Sequence, residues 1–260
     1  MSWCSRRNKP AAFAFAAKPG TDLAAERRQN AAQGVSRGST FVMPETLANL
    51  QIDPPVRGFL HRADAANTNG LILTHGAGGN AGSPFLVALA EAFAAAGFTV
   101  LCCNLPFRQN RSFGPPRPAD ATRDRAGLKN AVSVMRGLAP SRVFLGGQSY
   151  GGRQATLLCA DEPKLVEGLL LLSYPLHPPG KPDQLRTQHL PKLHTPALFV
   201  HGTRDAFGTI QEMEAALRMI PTKTKLLPVE GAGHDLGFKG KSRNEALPAE
   251  VLAAFQSFFV

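Results

Sequence analysis

Three side chains far apart in this chain have the makings of acyl-transfer chemistry: Ser149 in "GQSYG" (147–151), Asp205 in "LFVHGTRDAFG" (198–208) and His234 in "GAGHDL" (231–236). Serine is a poor nucleophile near neutral pH. It needs a base to take its proton, a carboxylate to fix the tautomer of that base, and N–H donors for the oxyanion formed when it attacks a carbonyl. The G-x-S-x-G pattern alone is weak evidence, but its setting adds to it. The apolar run "RVFLG" (142–146) feeds directly into it and the helical pattern "RQATLL" (153–158) leaves it, which describes a strand–turn–helix elbow. Such an elbow forces its central residue into an unfavourable backbone conformation. Strand and helix pack closely around it, so larger side chains than glycine at 147, 151 or 152 would collide.

The other two residues follow by order along the chain. Asp205 lies just past the apolar strand "ALFVHG" (197–202), whereas the alternatives Asp161 and Asp183 follow no strand immediately. Of the histidines, His61 and His75 come too early, His177, His189 and His194 fall in a Pro-rich stretch, and His201 ends a strand beside a glycine turn. His234, 29 residues beyond Asp205 and past the last strand, meets both conditions; its neighbour Asp235 points away from it. For the oxyanion, an elbow of this kind uses the amide after the nucleophile, here Tyr150, and one from the loop after an earlier strand. That loop is "LTHGAGGNAGS" (73–83), with Ala77 as first candidate and Gly78 as second. It lacks the lysine of a phosphate-cradling loop, and His75 reads as its brace. No histidine or cysteine spacing suggests a metal, and the chemistry calls for no cofactor.

To bring these residues together the chain must form one sheet. Strands are expected at 57–62, 70–75, 98–104, 142–147, 168–173, 197–202 and 225–230, and helices near 84–96, 122–138, 150–160, 209–220 and 244–259. Short apolar runs alternating with helical patterns predict an α/β fold with a mostly parallel central sheet flanked by helices. Two stretches interrupt the rhythm: "PFRQNRSFGPPRPADA" (106–121) and the six-proline "YPLHPPGKPDQLRTQHLPKLHTP" (174–196). Long loops in compact domains tend to be functional, so both are expected to overhang the site. Arg108, Arg111, Arg153, Tyr174, His177 and Lys181 are then the polar groups expected to meet a substrate. The second stretch is too short for a full helical cap.

Bulk properties exclude other classes. The 260 residues carry a formal charge of +10, half of it in residues 1–42 and half spread over the remaining 218. With no basic helix and no interleaved aromatics, nucleic-acid binding is not indicated. No apolar run approaches the roughly eighteen residues that cross a bilayer, so no membrane partner is expected. Four cysteines without framework spacing read as reduced thiols in a cytoplasmic protein. Residues 1–42, rich in Ala and Arg, read as a disordered extension or an early start codon with Met43 as the alternative, with a targeting segment as the rival. The folded domain is expected over 43–260.

Taken together, "LTHGAGGN", "LPFR", "GGQSYGGR", "LLLLSYPLHPPGKPDQLRTQHLP", "LFVHGTRDAFG" and "GAGHDL" resemble the α/β-hydrolase superfamily over about residues 56–260. More closely they resemble its dienelactone-hydrolase-like branch, which contains the testis-expressed hydrolase-like proteins and their bacterial relatives. The resemblance implies an eight-stranded type of sheet and a Ser149–Asp205–His234 triad, and the chemistry of such a triad leads us to expect a small ester-like substrate. True dienelactone hydrolases have cysteine where Ser149 stands. The branch also includes members better known as complex subunits, so the alternative is a non-catalytic interaction module that docks through prolines 178, 179 and 182.

Overall fold

The computed structural model describes residues 44–63, 69–139, 141–238 and 244–260. The expected extension 1–42, Met43 and Cys4 lie outside the described residues. Eight strands form one sheet: β1 Glu45–Asn49, β2 Val56–His61, β3 Gly70–Thr74, β4 Thr99–Cys103, β5 Val143–Gln148, β6 Gly168–Leu172, β7 Ala197–Gly202 and β8 Thr224–Val229. Their order is β1-β2-β4-β3-β5-β6-β7-β8. β2 runs antiparallel to both of its neighbours and the other pairs are parallel. The helices are α1 Pro84–Ala95, α2 Pro106–Asn110, α3 Asp120–Leu138, α4 Tyr150–Asp161, α5 Ile210–Leu217 and α6 Leu247–Phe259.

Every residue of β3, β4, β6 and β7 is buried. Both faces of these strands are covered, so they read as mostly apolar runs without polar alternation. Successive side chains part to opposite faces. Leu71, Leu73 and Phe144 join Phe93 of α1 and Phe255 of α6 on one side. Ile72 and Leu145 join Leu128, Val132 and Met135 of α3 on the other. Burying each such side chain contributes about 1.5–3 kcal/mol.

All seven expected strands form, each within one residue of its reading, and so do the five expected helices. Gly97 stops α1 as anticipated, its amide bonding Ala94 O at 2.9 Å with φ at +94°. The sequence reading missed β1 and α2. β1 is an edge strand with mostly exposed residues, so no hydrophobic pattern marks it; α2 is a short helix inside the first Pro- and Arg-rich stretch.

The parallel register aligns the strand ends that matter. Thr74 pairs with Gly147, Gln148 with Leu172, Leu172 with Val200, and Gly202 with Val229. The chain leaves the carboxyl ends of β3, β5, β7 and β8 along one edge. β3 and β5 are adjacent although β4 intervenes in sequence, so their connections diverge and open a crevice. No helix among the described residues is long and apolar enough to cross a membrane. Cys102, Cys103 and Cys159 are free and buried, and burial pushes their thiols well up, Cys103 and Cys159 to about 12.

Candidate active site

Ser149 sits between β5 and α4 at φ 50°, ψ −113°, a region that costs a non-glycine residue about 1–3 kcal/mol. Neighbours hold it there. Its amide donates to Leu172 O at 2.8 Å, and its carbonyl accepts from Arg153 N at 3.0 Å. The elbow closes only around glycines. A Cβ on Gly147 would lie 2.6 Å from Gly152 N, one on Gly151 2.5 Å from His75 O, and one on Gly152 2.6 Å from Gly147 O.

His234 Nε2 lies 2.8 Å from Ser149 Oγ, and its Nδ1 lies 2.8 and 3.0 Å from the two oxygens of Asp205. A carboxylate only accepts, so Nδ1 carries the proton and Nε2 is the acceptor for the serine hydroxyl. Asp205, whose side chain is fully buried, also accepts from Phe207 N at 2.9 Å. Its loop is fixed at both ends. Arg204 N donates to Ala232 O at 2.9 Å, and His201 Nε2 donates to Gly208 O at 2.8 Å while lying 3.7 Å from Asp205 Oδ2. Burial lowers the pKa of His201 and keeps that ring neutral. Phe207 stacks on the His234 imidazole with centroids 4.0 Å apart and planes 25° apart, closing one side of it.

The loop after β3 is braced from behind. His75 Nε2 accepts from Leu105 N at 3.1 Å, which leaves Nδ1–H to donate to Gly76 O at 2.8 Å. Burial pushes His75 down to about 4, so the ring stays a neutral brace. Arg108 donates to Ala77 O at 2.7 Å and Gly79 O at 2.9 Å, and also to Gly114 O and Arg111 O. A trans peptide points its N–H opposite its carbonyl. Holding Gly76 O therefore aims the Ala77 amide, and holding Ala77 O aims the Gly78 amide. Tyr150 opens α4, so its amide has no partner within the helix. Its hydroxyl donates to Asp124 Oδ2 at 2.8 Å, and Asp124 Oδ1 accepts from Phe107 N at 2.9 Å. Burial raises the Asp124 carboxyl against the pull of those bonds.

A cavity of about 1070 Å³ opens over these groups, lined by Ser149, His234, Ala77, Gly78 and Tyr150 among others. The structure thus gathers Ser149, His234 and the three candidate oxyanion donors around one space, with Asp205 buried behind His234. The expected substrate contacts fare differently. Arg153 lines the cavity. Arg108 is 8 % exposed and gives its donors to backbone carbonyls, because a buried guanidinium must find acceptors. Arg111 pairs with Asp120 and donates to Pro115 O. Tyr174 is buried with its hydroxyl on Arg186 O. His177 is buried between Pro178 O and Glu212. Lys181 is exposed outside the lining.

Three residues here escaped the sequence reading: Asp124, Phe207 and Arg186. Asp124 carried a signal, since 124, 128, 131 and 135 form the buried stripe of α3, and an acid in an apolar stripe marks a buried polar contact. Among the described residues, no group of three His, Cys, Asp or Glu side chains is arranged to hold a metal ion.

A family model described as an alpha/beta hydrolase domain matches residues 67–258. Among solved structures, the chain is similar to a dienelactone hydrolase from Anabaena variabilis, with 21 % identity, 84 % of this chain and 100 % of that chain covered, and a TM-score of 0.67. An alpha-beta serine hydrolase homologue from Coxiella burnetii aligns at 19 % identity over 83 % of this chain and 99 % of its own, with a TM-score of 0.62. A member of the a/b serine hydrolases without lid from Xanthomonas campestris aligns at 16 % over 84 % and 96 %, with a TM-score of 0.63. These likenesses are of fold. Sheet order, elbow and a family match over most of the length agree: the chain belongs to the α/β-hydrolase domain family.

Proposed function

We propose that this protein is a serine hydrolase acting on an ester-like small molecule, a carboxylester or thioester. Its nucleophile is Ser149, its general base His234 and its orienting carboxylate Asp205. The observation that carries the reading is the unbroken chain Ser149 Oγ–His234 Nε2 and His234 Nδ1–Asp205, each link 2.8 Å at its shortest, at a strained residue opening into a cavity.

As Oγ attacks the carbonyl carbon, its proton passes to His234 Nε2, and Asp205 stabilises the imidazolium that forms. The oxyanion takes N–H bonds from Tyr150 and Ala77, with Gly78 beside them. These donors are aimed before the reaction begins and need not reorganise. His234 then gives its proton to the leaving group. Water, deprotonated by the same imidazole, resolves the acyl-enzyme. Each step uses side chains and amides of this chain. The short Pro-rich segment lends Pro175 and Arg186 to the wall and builds no helical cap. That fits the solved relative described as lacking a lid.

The alternative of a non-catalytic interaction module is less favoured, because docking requires neither a serine at positive φ nor a histidine on its hydroxyl. In the test, Ser149→Ala lowers kcat/KM for short p-nitrophenyl esters by about 10⁴-fold or more and abolishes fluorophosphonate labelling, with an unchanged circular dichroism spectrum. A variant as active as wild type on every ester and acyl thioester tried would overturn the assignment.

A further inference from the structure

We propose, resting on the hydrolase reading above, that Asp124 is a positioning residue for the oxyanion: it joins the two loops that carry the donor amides and fixes the distance between them. Asp124 is fully buried and outside the cavity lining, so it acts through Tyr150 and Phe107 and not on the substrate.

The donors come from different places. Tyr150 opens α4 beyond β5, whereas Ala77 and Gly78 lie in the loop beyond β3. An oxyanion hole works only when its amides converge on one oxygen at about 2.7–3.1 Å. The pairing of Thr74 with Gly147 sets the two strand ends side by side, but Ala77 lies farther along its loop. A Cβ on Gly78 would meet nothing within 4 Å, so side-chain packing does not hold that part of the loop.

α2 and Asp124 supply the tie. On the loop side, Leu105 N donates to His75 Nε2 at 3.1 Å, and Arg108 donates to Ala77 O at 2.7 Å. The Phe107 ring meets both sides, its centroid 5.6 Å from His75 and 5.7 Å from Tyr150, edge-on to the latter at 86°. On the elbow side, Asp124 Oδ2 accepts from the Tyr150 hydroxyl at 2.8 Å, and Oδ1 accepts from Phe107 N at 2.9 Å. Phe107 follows Pro106 in the first turn of α2, so its amide has no acceptor within that helix. One carboxylate therefore clamps the start of α2 to the start of α4. Gly127 lets it reach. This glycine lies one turn past Asp124 on the same face of α3, and a Cβ there would stand 2.5 Å from Pro106 Cγ. Burial raises the pKa of Asp124, and among the described residues no cation bonds it. The fold keeps this acid in spite of its desolvation cost, and what it gains is two acceptors on one rigid group.

The test replaces Asp124 in the full chain with Ala, which cuts both bonds, and with Asn. The amide keeps an oxygen for Phe107 N and turns its NH2 to the phenol oxygen, which can accept. With short p-nitrophenyl esters, Asp124→Ala is expected to lower kcat about 10–10²-fold with KM unchanged, less than the loss of a whole oxyanion donor. Phenylboronic acid, whose tetrahedral adduct on Ser149 places an oxygen in the same hole, should lose affinity in the same proportion. Asp124→Asn should recover both readings to within about threefold. Leu128→Ala, a core change on the same buried stripe of α3, should lower stability and leave kcat and boronate affinity at wild-type values. The assignment fails if Asp124→Ala keeps wild-type kcat, if its loss appears in KM alone, if Asn does no better than Ala, or if Leu128→Ala costs as much activity. If Asp124→Ala does not fold, Tyr150→Phe decides. It keeps the amide and cuts the phenol arm, and an unchanged kcat and boronate affinity overturn the joint. The backbone amide resonances of Ala77 and Gly78 separate this from the hydrolase reading. They should move in Tyr150→Phe whether or not the protein turns over an ester, and resonances that stay in place overturn the joint. A folded wild type that fluorophosphonate does not label overturns the hydrolase assignment instead.

Discussion

Residues 106–121 and 174–196 look alike in sequence, both rich in proline and carrying arginines, and both flank the cavity. Arg108 and Arg111 of the first and Arg186 of the second have opposite fates, while Arg117 of the first also lines the cavity. In the first stretch Arg108 reaches four backbone carbonyls and Arg111 an aspartate and a carbonyl. In the second, among the described residues, Arg186 makes one side-chain bond and lines the cavity with Arg153 of α4, which makes none. What separates a brace from a binding group is the supply of acceptors around it, not its charge or its place in a loop. Arg108 of the first stretch holds the loop after β3 in shape. The second leaves donors open to whatever enters. Changes on the braced side should therefore lower kcat and stability together, and changes on the open side should alter substrate choice.

The largest effect that would test this contrast comes from Arg108→Met. Removing it frees the carbonyls of Ala77 and Gly79 and with them the aim of the Gly78 amide. We expect kcat to fall about 10²–10³-fold, the range for losing an oxyanion donor. Stability should fall by about 3 kcal/mol in urea titration, because buried carbonyls lose their donors. Arg108→Lys should recover little, since one ammonium cannot span the separate carbonyls that the planar fork serves. An Arg108→Met enzyme with wild-type kcat would show that this loop needs no brace.

His75 gives the next effect, read through pH. Burial holds its folded pKa at about 4, against an ordinary value of 6.5. Between those values the unfolded chain binds a proton that the folded chain refuses. The stabilisation is therefore complete above pH 6.5, declines as pH falls toward 4 and is gone below it. The contribution is about 3 kcal/mol. Denaturant titrations at pH 7 and pH 4 should show wild type losing about that much more than His75→Gln, which cannot titrate. Equal losses in the two proteins would mean that the ring is hydrated and does not lock Gly76.

These contrasts also mark how far the sequence could be read. β3 and β5–β7 were legible because burial on both faces leaves mostly apolar residues, and the strand ends then located Ser149 and Asp205. His234 followed from its position after β8. β1 was not legible, since an edge strand with little buried surface imposes no pattern on "ETLAN". Nor was the direction of any arginine. Arg108 and Arg153 each stand four residues or fewer from a landmark motif, yet one turns to carbonyls 29 and 31 residues away in sequence and the other into the cavity. Such long-range acceptors exist only once the sheet has assembled. Phe207 is similar: its stacking on His234 depends on the register of β7 and β8, which no local pattern encodes.

The smallest expected effect is the sharpest test of the comparison. Arg153→Gln removes a cation whose side chain bonds nothing among the described residues and whose neighbour Arg186 repels it. If the open wall contributes nothing to the fold, the variant's urea midpoint should stay within about 0.5 kcal/mol of wild type. Any change should be toward greater stability, because a buried donor without an acceptor opposes folding. Added salt should erase part of that gain by screening the repulsion in wild type. A loss as large as the one expected for Arg108→Met would place Arg153 among the braces, and the two sides of the cavity would no longer differ in kind.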